Sequence, residues 1–160
     1  MSGRLVIYGA GGHARKVFHY AVAVGWQVAC FVDDSPEAVS PSTAVAVIRP
    51  AELHPPAPDD AVFIAIGDPG TRRALMNRLA EQGWRLPVLR HRSAWVAPDV
   101  VVGPGTLVAA GAILETGTIV GRGVIIDIGV VVDHECRIGD FCHLKAGAVL
   151  GPRSEAPSPL

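Results

Sequence analysis

The sequence has little cysteine, almost no charge imbalance and no long apolar run, and each absence excludes a class of protein. Three cysteines among 160 residues, Cys30, Cys136 and Cys142, are too few and too unevenly spaced for a disulfide framework, which predicts reduced, mostly buried thiols. A net charge of −1 without a basic run gives no indication of nucleic-acid binding. The chain enters a short strand directly after Arg4, without a hydrophobic signal core or spanning stretch, so we expect a cytoplasmic protein without membrane insertion.

Aliphatic residues return at every sixth position across the C-terminal half of the chain. The series comprises Val96, Val102, Val108, Leu114, Val120, Ile126, Val132, Ile138, Leu144 and Leu150. A small or β-branched residue follows four positions after each, at Val100, Thr106, Ala112, Thr118, Val124, Val130, Cys136, Cys142, Ala148 and Ser154. This period fits neither a helix nor a plain strand, but it suits a solenoid with three short faces per coil. We predict a prism filled by both series, in which the two cysteines pack rather than react. Its tight corners are assigned to Gly103, Gly121, Gly139 and Gly151.

This hexapeptide pattern resembles the left-handed parallel β-helix of hexapeptide acyltransferases. The resemblance implies about eighteen residues per coil, and therefore a little over three coils. We assign residues 90–155 to a short β-helix and residues 156–160 to an irregular tail. Such a solenoid can also be a scaffold without chemistry of its own, so function has to be argued from particular residues.

The first ninety residues alternate between apolar runs and helical spacing, as in a small α/β domain. Buried strands are predicted at 5–8, 27–32 and 61–66, with a short one at 44–48 and a last one at 87–89. Helical patterns begin at Ala14 and Thr71. The succession of strand, glycine turn, helix and strand predicts a Rossmann-like domain over residues 1–89. The expected fold class is therefore a Rossmann-like α/β domain followed by a β-helix.

A glycine turn lies between the first predicted strand and the first predicted helix. Backbone N–H groups and the positive end of a helix dipole meet at such a turn, which suits a phosphate or diphosphate. The spacing of Gly9, Gly11 and Ala14 fits the dinucleotide fingerprint, and Asp33 ends the next strand at a place suited to a ribose hydroxyl. A tight turn in any small α/β fold has the same pattern, so both interpretations stay open on this signal alone.

The run from Val132 to His143 carries the residues best suited to catalysis. His134 takes a corner position that points outward, with Asp133 and Glu135 beside it. An imidazole held by a carboxylate is a natural general base near neutral pH, able to take a proton from an amine or hydroxyl that attacks a thioester. An exposed and merely solvated corner histidine is the alternative. One imidazole with sequence-adjacent acids is poor ligand geometry, so no metal site is predicted.

The order of these motifs resembles the family of sialic acid O-acetyltransferases and UDP-4-amino-sugar N-acetyltransferases. The resemblance rests on Gly9-Ala10-Gly11-Gly12-His13-Ala14-Arg15-Lys16-Val17, on Val32-Asp33-Asp34, on Ala65-Ile66-Gly67-Asp68 and on the solenoid with its His134 segment. It implies transfer of an acetyl group from acetyl-coenzyme A to an amine or hydroxyl of a nucleotide-linked sugar, in polysaccharide or glycan synthesis. It also implies a UDP-sugar bound by the N-terminal domain. Gly11, Gly12 and His13 would approach the diphosphate, Asp33 and Asp34 the uridine, and Gly67 would line the same pocket.

The same resemblance implies roles for residues of the solenoid. His134 is the general base, Asp133 or Glu135 orients it, and no covalent intermediate is needed. Acetyl-coenzyme A is the acyl donor, approached by His143 and Gly151. A homotrimer with active sites at the seams between subunits is implied, and it would bury flat apolar faces of the prism.

Two features of the sequence depart from the family's pattern. Asp127 stands where the family often has asparagine, and a carboxylate cannot donate the amide hydrogen bond. The hexads also fade after Leu150-Gly151, whereas family members normally continue for several coils that help hold coenzyme A. An alternative function therefore stays open, namely a non-catalytic nucleotide-sugar-binding or subunit-assembly protein that has lost those coils.

Overall fold

The chain divides between Pro87 and Val88 into two compact units. The computed structural model describes residues 3–159, so the predicted limits at residues 1 and 160 lie outside the described residues. Within residues 3–159, no helix is both long and apolar enough to cross a membrane.

The first unit is built on a four-stranded parallel sheet with the strand order β3-β2-β1-β4. Its strands are β1 (Arg4–Tyr8), β2 (Gln27–Val32), β3 (Val47–Ile48) and β4 (Ala61–Ile64). Side chains on both faces of β1 and β4 are buried, as the continuous apolar runs predict for a covered parallel sheet. A short 3₁₀ turn, Pro50–Glu52, lies on the connection from β3 to β4.

Two helices complete this unit. Helix α1 (Gly12–Ala23) buries Ala14, Val17 and Ala21, and Gly25 follows its C-terminal end with a φ of 94°. Helix α2 (Pro69–Glu81) begins at an N-cap aspartate, because the Asp68 carboxylate accepts a hydrogen bond of 2.7 Å from the Thr71 N–H. That hydrogen bond also lowers the pKa of Asp68.

The second unit is a parallel β-helix made of two-residue strands. Its described strands are β5 (Leu89–Arg90), β6 (Trp95–Val96), β7 (Val101–Val102), β8 (Leu107–Val108), β9 (Ile113–Leu114), β10 (Ile119–Val120), β11 (Ile125–Ile126), β12 (Val131–Val132), β13 (Arg137–Ile138), β14 (His143–Leu144), β15 (Val149–Leu150) and β16 (Glu155–Ala156). Each strand from β5 to β13 pairs in parallel with the third strand after it, as Leu107 of β8 does with Ile125 of β11. The first sheet therefore contains β5, β8, β11 and β14, the second β6, β9, β12 and β15, and the third β7, β10, β13 and β16.

The solenoid extends further at both ends than the sequence analysis assigned. The last strand predicted for the α/β domain is instead β5, since Leu89 pairs with Leu107 in the first sheet. The hexads also do not fade after Gly151, because β16 pairs with β13 through Glu155 and Arg137. The interior agrees with the predicted series, and a core cluster contains Leu114, Ile126 and Cys136. Burying each such aliphatic side chain stabilises the fold by roughly 1.5–3 kcal/mol.

The tight corners belong to a different glycine series from the predicted one. Left-handed φ angles between 60° and 72° occur at Gly105, Gly111, Gly117, Gly123, Gly129 and Gly147. Gly103 and Gly121 instead lie where successive coils approach each other. An added Cβ would lie 2.6 Å from the Arg122 nitrogen at Gly103, and 2.7 Å from the Asp140 nitrogen at Gly121. Gly139 is crowded in the same way, whereas Gly151 has nothing within 4 Å of an added Cβ.

Candidate active site

The glycine turn of the first unit uses its first glycine for conformation and packing. Gly9 has a φ of 114°, and its N–H donates a hydrogen bond of 2.7 Å to the Val32 carbonyl. A Cβ at this position would lie 2.9 Å from the carbonyl oxygen of Ala65. The turn after β1 is therefore packed closely against the end of β4, and a side chain at Gly9 would separate them.

Gly11 and Gly12 have no such structural need. Gly11 has a φ of −80° that any residue can adopt, and an added Cβ at Gly11, Gly12 or Gly67 would meet nothing within 4 Å. No side chain caps the N-terminus of α1, and its first turn carries no acidic residue. The first N–H groups of α1 therefore have no side-chain cap at the positive end of the helix dipole, an arrangement that suits a phosphate or diphosphate.

An open cavity of about 440 Å³ lies beside this turn and contains Gly11, Gly12 and Asp33 in its lining. The other lining residues are Ala10, Arg15, Ser35, Glu37, Ala38 and Val39. Of the other predicted substrate-binding residues, Gly9, His13, Asp34 and Gly67 lie outside this lining. Arg15 was not predicted to bind substrate, although it stands in the same Gly9–Val17 motif of the sequence.

Both carboxylate oxygens of Asp33 bind backbone N–H groups. Oδ2 accepts a hydrogen bond of 2.8 Å from Ala10, and Oδ1 accepts one of 2.9 Å from Ser35. Asp33 therefore joins the glycine turn to the loop after β2, which form two walls of the cavity. This contact fixes the shape of the cavity, in addition to the sugar-binding role expected from its place at the end of β2.

Arg72 holds the loop that carries Gly67. Its side chain is almost fully buried, at 1% exposure, and Nη1 donates hydrogen bonds of 2.9 Å to the Ile66 carbonyl and 2.8 Å to the Gly67 carbonyl. A buried charge is tolerated when such bonds compensate its desolvation. Helix α2 therefore fixes the carbonyl end of β4 through one side chain.

In the second unit, His134 lies at a corner between β12 and β13, where the second sheet leads to the third. Its side chain is 39% exposed, and Nδ1 lies 3.1 Å from Oε2 of Glu135. With Nδ1 donating to this carboxylate, Nε2 is left as the acceptor nitrogen. Asp133 binds the backbone instead of the ring, because its Oδ1 accepts a hydrogen bond of 2.7 Å from the His134 N–H. The two neighbouring acids thus have separate roles.

The corner beneath His134 is fixed by Asp99. One of its oxygens, Oδ2, accepts hydrogen bonds of 2.7 Å from the Thr116 hydroxyl and 2.9 Å from the Gly117 N–H. These bonds lower the pKa of Asp99, the threonine hydroxyl having the larger effect. A Cβ at Gly117 would lie 3.1 Å from Cγ of Glu135, so the bare corner leaves room for that side chain.

His143 lies on β14 in the first sheet, and both its ring nitrogens face groups of the same chain. Nε2 is 3.4 Å from Oδ2 of Asp127, and Nδ1 is 3.1 Å from Nζ of Lys145. In a three-sided coil, the corner between the second and third sheets is opposite the first sheet. One chain therefore places His143 on the side of the prism away from His134.

The remaining predicted groups lie where the interior series places them. Cys136 is buried with its Sγ 3.1 Å from the carbonyl oxygen of Gly151, and Cys142 is buried likewise, which confirms their packing role. Gly151 itself is exposed. Among the described side chains of histidine, cysteine, aspartate and glutamate, no group of three is placed to hold a metal ion.

Two family models match the chain, one for each unit. Residues 4–79 match the PglD N-terminal domain, and residues 117–152 match the bacterial transferase hexapeptide of six repeats.

Solved structures are similar over nearly the whole chain. The acetyltransferase domain of PglB from Neisseria gonorrhoeae FA1090 is 31% identical with a TM-score of 0.82, and the match covers 92% of this chain and 73% of that one. The same domain has been solved in complex with acetyl coenzyme A. PerB from Caulobacter crescentus, in complex with CoA and GDP-perosamine, is 35% identical with a TM-score of 0.82, covering 93% of this chain and 72% of that one.

Proposed function

The chain belongs to the hexapeptide-repeat sugar acetyltransferases with a PglD N-terminal domain, and from this premise we propose that it acetylates an amine or hydroxyl of a nucleotide-linked sugar. Acetyl-coenzyme A is the donor, as the acetyl-coenzyme A complex of the PglB domain suggests. The observation that carries the proposal is the His134–Glu135 pair, which leaves Nε2 as an acceptor on an exposed corner.

In the proposed reaction, the sugar amine or hydroxyl attacks the thioester carbonyl while His134 Nε2 takes its proton. The carbon–sulfur bond then breaks, coenzyme A leaves as its thiolate, and the proton on His134 neutralises the sulfur. Glu135 holds the ring by its Nδ1 and stabilises the imidazolium that forms between the two steps. The proton that His134 accepts is the one it returns, so the cycle leaves the imidazole in its starting protonation state.

The nucleotide diphosphate binds at the N-terminus of α1 in this proposal. Gly11 and Gly12 leave room for the phosphates, and the cavity beside them accepts the nucleoside. His13, Asp33, Asp34 and Gly67 complete the proposed site. PerB binds GDP-perosamine, so a guanosine sugar is tested beside the uridine sugars that the sequence analysis favoured.

A homotrimer completes the site in this proposal. His134 and His143 lie on opposite sides of one prism, so both can serve one acetyl group only if neighbouring chains supply them. Apolar side chains on the outer faces, among them Trp95, Val101 and Val149, are exposed in the single chain and would be buried between subunits. Each seam would then hold His134, with Gly151 in the coil above it, from one subunit and His143 from the next.

The test of the chemistry measures thiol release from acetyl-coenzyme A with UDP- and GDP-linked 4-amino-sugars as acceptors. We expect His134→Ala to lower kcat by about two to four orders of magnitude with an unchanged melting temperature. His54→Ala, which removes an exposed histidine of the first unit, is the control and keeps full activity. Nucleotide-sugar binding without any thiol release by the unmodified protein would instead identify a binding or assembly protein.

The shared seam has a separate test by complementation. Chains carrying His134→Ala and chains carrying His143→Ala are inactive alone, and are unfolded and refolded together in equal amounts. In random trimers, about one seam in four would combine an intact His134 with an intact His143. About a quarter of the wild-type activity should therefore return. Activity that stays absent after mixed trimers are demonstrated would contradict a site shared between chains.

A further inference from the structure

Three of the described left-handed corners of the β-helix carry a residue other than glycine. Six such corners carry glycine, whereas Glu135, Phe141 and Arg153 adopt φ angles of 60°, 61° and 56°. A side chain is strained in this backbone conformation, which only glycine adopts freely. Each departure therefore needs a compensating interaction or a function.

Packing accounts for only one of the three. Phe141 is 2% exposed, and the guanidinium carbon of Arg122 lies 5.2 Å from its ring centroid, so burial offsets the strain. The side chains of Glu135 and Arg153 are 58% and 72% exposed. Burial does not compensate these two corners, which stack on each other in successive coils.

Both of these corners contact His134. Glu135 Oε2 lies 3.1 Å from His134 Nδ1, and Nη1 of Arg153 lies 3.6 Å from the same oxygen. The backbone N–H of Arg153 also donates a hydrogen bond of 2.9 Å to the His134 carbonyl. Arg153 thus touches the peptide of the proposed base and the carboxylate that orients its ring.

We propose that Arg153 is a positioning residue for His134. From the coil above, Arg153 holds the Glu135 carboxylate against Nδ1 of His134. This inference rests on the proposed role of His134. An exposed ion pair at this distance adds little to stability, so the strain at Arg153 is not explained by folding. Its effect is expected in the rate of acetyl transfer, because a rotated carboxylate would release the imidazole from its productive orientation.

The main test replaces Arg153 with glycine. Arg153→Gly keeps the backbone hydrogen bond to His134 and relieves the left-handed strain, so the melting temperature should stay unchanged or rise. We expect kcat to fall about tenfold, by analogy with the loss of a group that orients a metal-bound histidine. The KM values for acetyl-coenzyme A and the sugar should stay within about twofold of wild type. Arg153→Lys should recover part of the lost kcat, and Arg153→Asn, which also tolerates this conformation, should not.

A double-mutant cycle tests whether Arg153 acts through Glu135. In a Glu135→Gln background, Arg153→Gly should lower kcat by less than about twofold, because the contact is already lost. Arg137→Gln is the charge-matched control on the neighbouring strand β13, where the side chain is exposed. It should change neither kcat nor KM.

The outcomes separate this inference from the proposed function. Wild-type kcat in Arg153→Gly, a full additional loss in the Glu135→Gln background, or a rise confined to the KM for acetyl-coenzyme A would each overturn the positioning role. If His134→Ala itself keeps full turnover, the assignment of the base is wrong and this inference falls with it. Loss of activity in His134→Ala with normal activity in Arg153→Gly refutes the role of Arg153 alone.

Discussion

Replacing Gly121 with alanine tests the contact between successive coils. The added Cβ would lie 2.7 Å from the nitrogen and 2.9 Å from Cα of Asp140, whereas ordinary contact begins near 3.4 Å. The neighbouring backbone would have to retreat by about 0.7 Å, and strands are only about 4.8 Å apart, so the paired strands cannot absorb this shift locally. Overpacking of this kind costs about 1–3 kcal/mol. We expect the upper end of that range because two of the three nearest atoms belong to the backbone, which cannot turn aside as the Asp140 carboxylate can.

The assay is thermal and urea unfolding at one protein concentration, since an oligomer's stability depends on concentration. A loss of about 3 kcal/mol corresponds to a melting temperature lower by about 6–12 °C. Gly129→Ala meets no neighbouring atom but has a φ of 64°, so it should lose about 1–2 kcal/mol. Gly151→Ala has open space, and we expect a change below about 0.5 kcal/mol. A Gly121→Ala variant as stable as Gly151→Ala would refute the reasoning.

Three further predictions concern the supports of the two sites. Arg72→Met removes a buried donor that makes charged hydrogen bonds to two carbonyls, and should lower the free energy of unfolding by about 3 kcal/mol in urea titrations, whereas Arg73→Met on the same helix should change it little. Asp33→Ala breaks the link between Ala10 and Ser35, so the Kd for UDP or GDP measured by calorimetry should rise about tenfold while acetyl-coenzyme A binding is unchanged. At pH values above the usual aspartate pKa, the lowered pKa of Asp99 stabilises the fold. This stabilisation is lost as the pH falls below about 4 and through the pKa that Asp99 has in the folded protein. Asp99→Asn should therefore weaken the fall of the melting temperature at acidic pH. An unchanged fall would show that Asp99 does not contribute to it.

The period of six was enough to predict the solenoid interior from the sequence. Residues such as Leu114 and Val132 fall in one interior column because each coil repeats the same three strands. The glycine corners could not be assigned in the same way. The series of Gly103 and the series of Gly105 have the same period, and only the backbone φ angle separates a tight corner from a close approach between coils.

The candidate sites were predicted less completely, for reasons that lie in the side chains. Gly11, Gly12 and Asp33 were found because a turn after a strand has a local sequence signature. Arg72 lies on a mostly polar helix and has no pattern that indicates burial, so its two hydrogen bonds to the β4 loop could not be foreseen. The choice between Asp133 and Glu135 as partner of His134 also depended on the corner's backbone geometry, which directs one carboxylate to the ring and the other to an N–H.

A regular solenoid offers a specific way to find its functional corner. Every coil repeats the same backbone, so the repeat cannot distinguish one corner from another, and only a departure from it carries further information. Three left-handed corners lack glycine, and burial of Phe141 explains one of them. The other two, Glu135 and Arg153, meet at the same histidine that its flanking acids had indicated in the sequence. The flanking acids in the sequence and the strained corners in the structure thus indicate His134 independently. A merely solvated corner histidine would require neither feature.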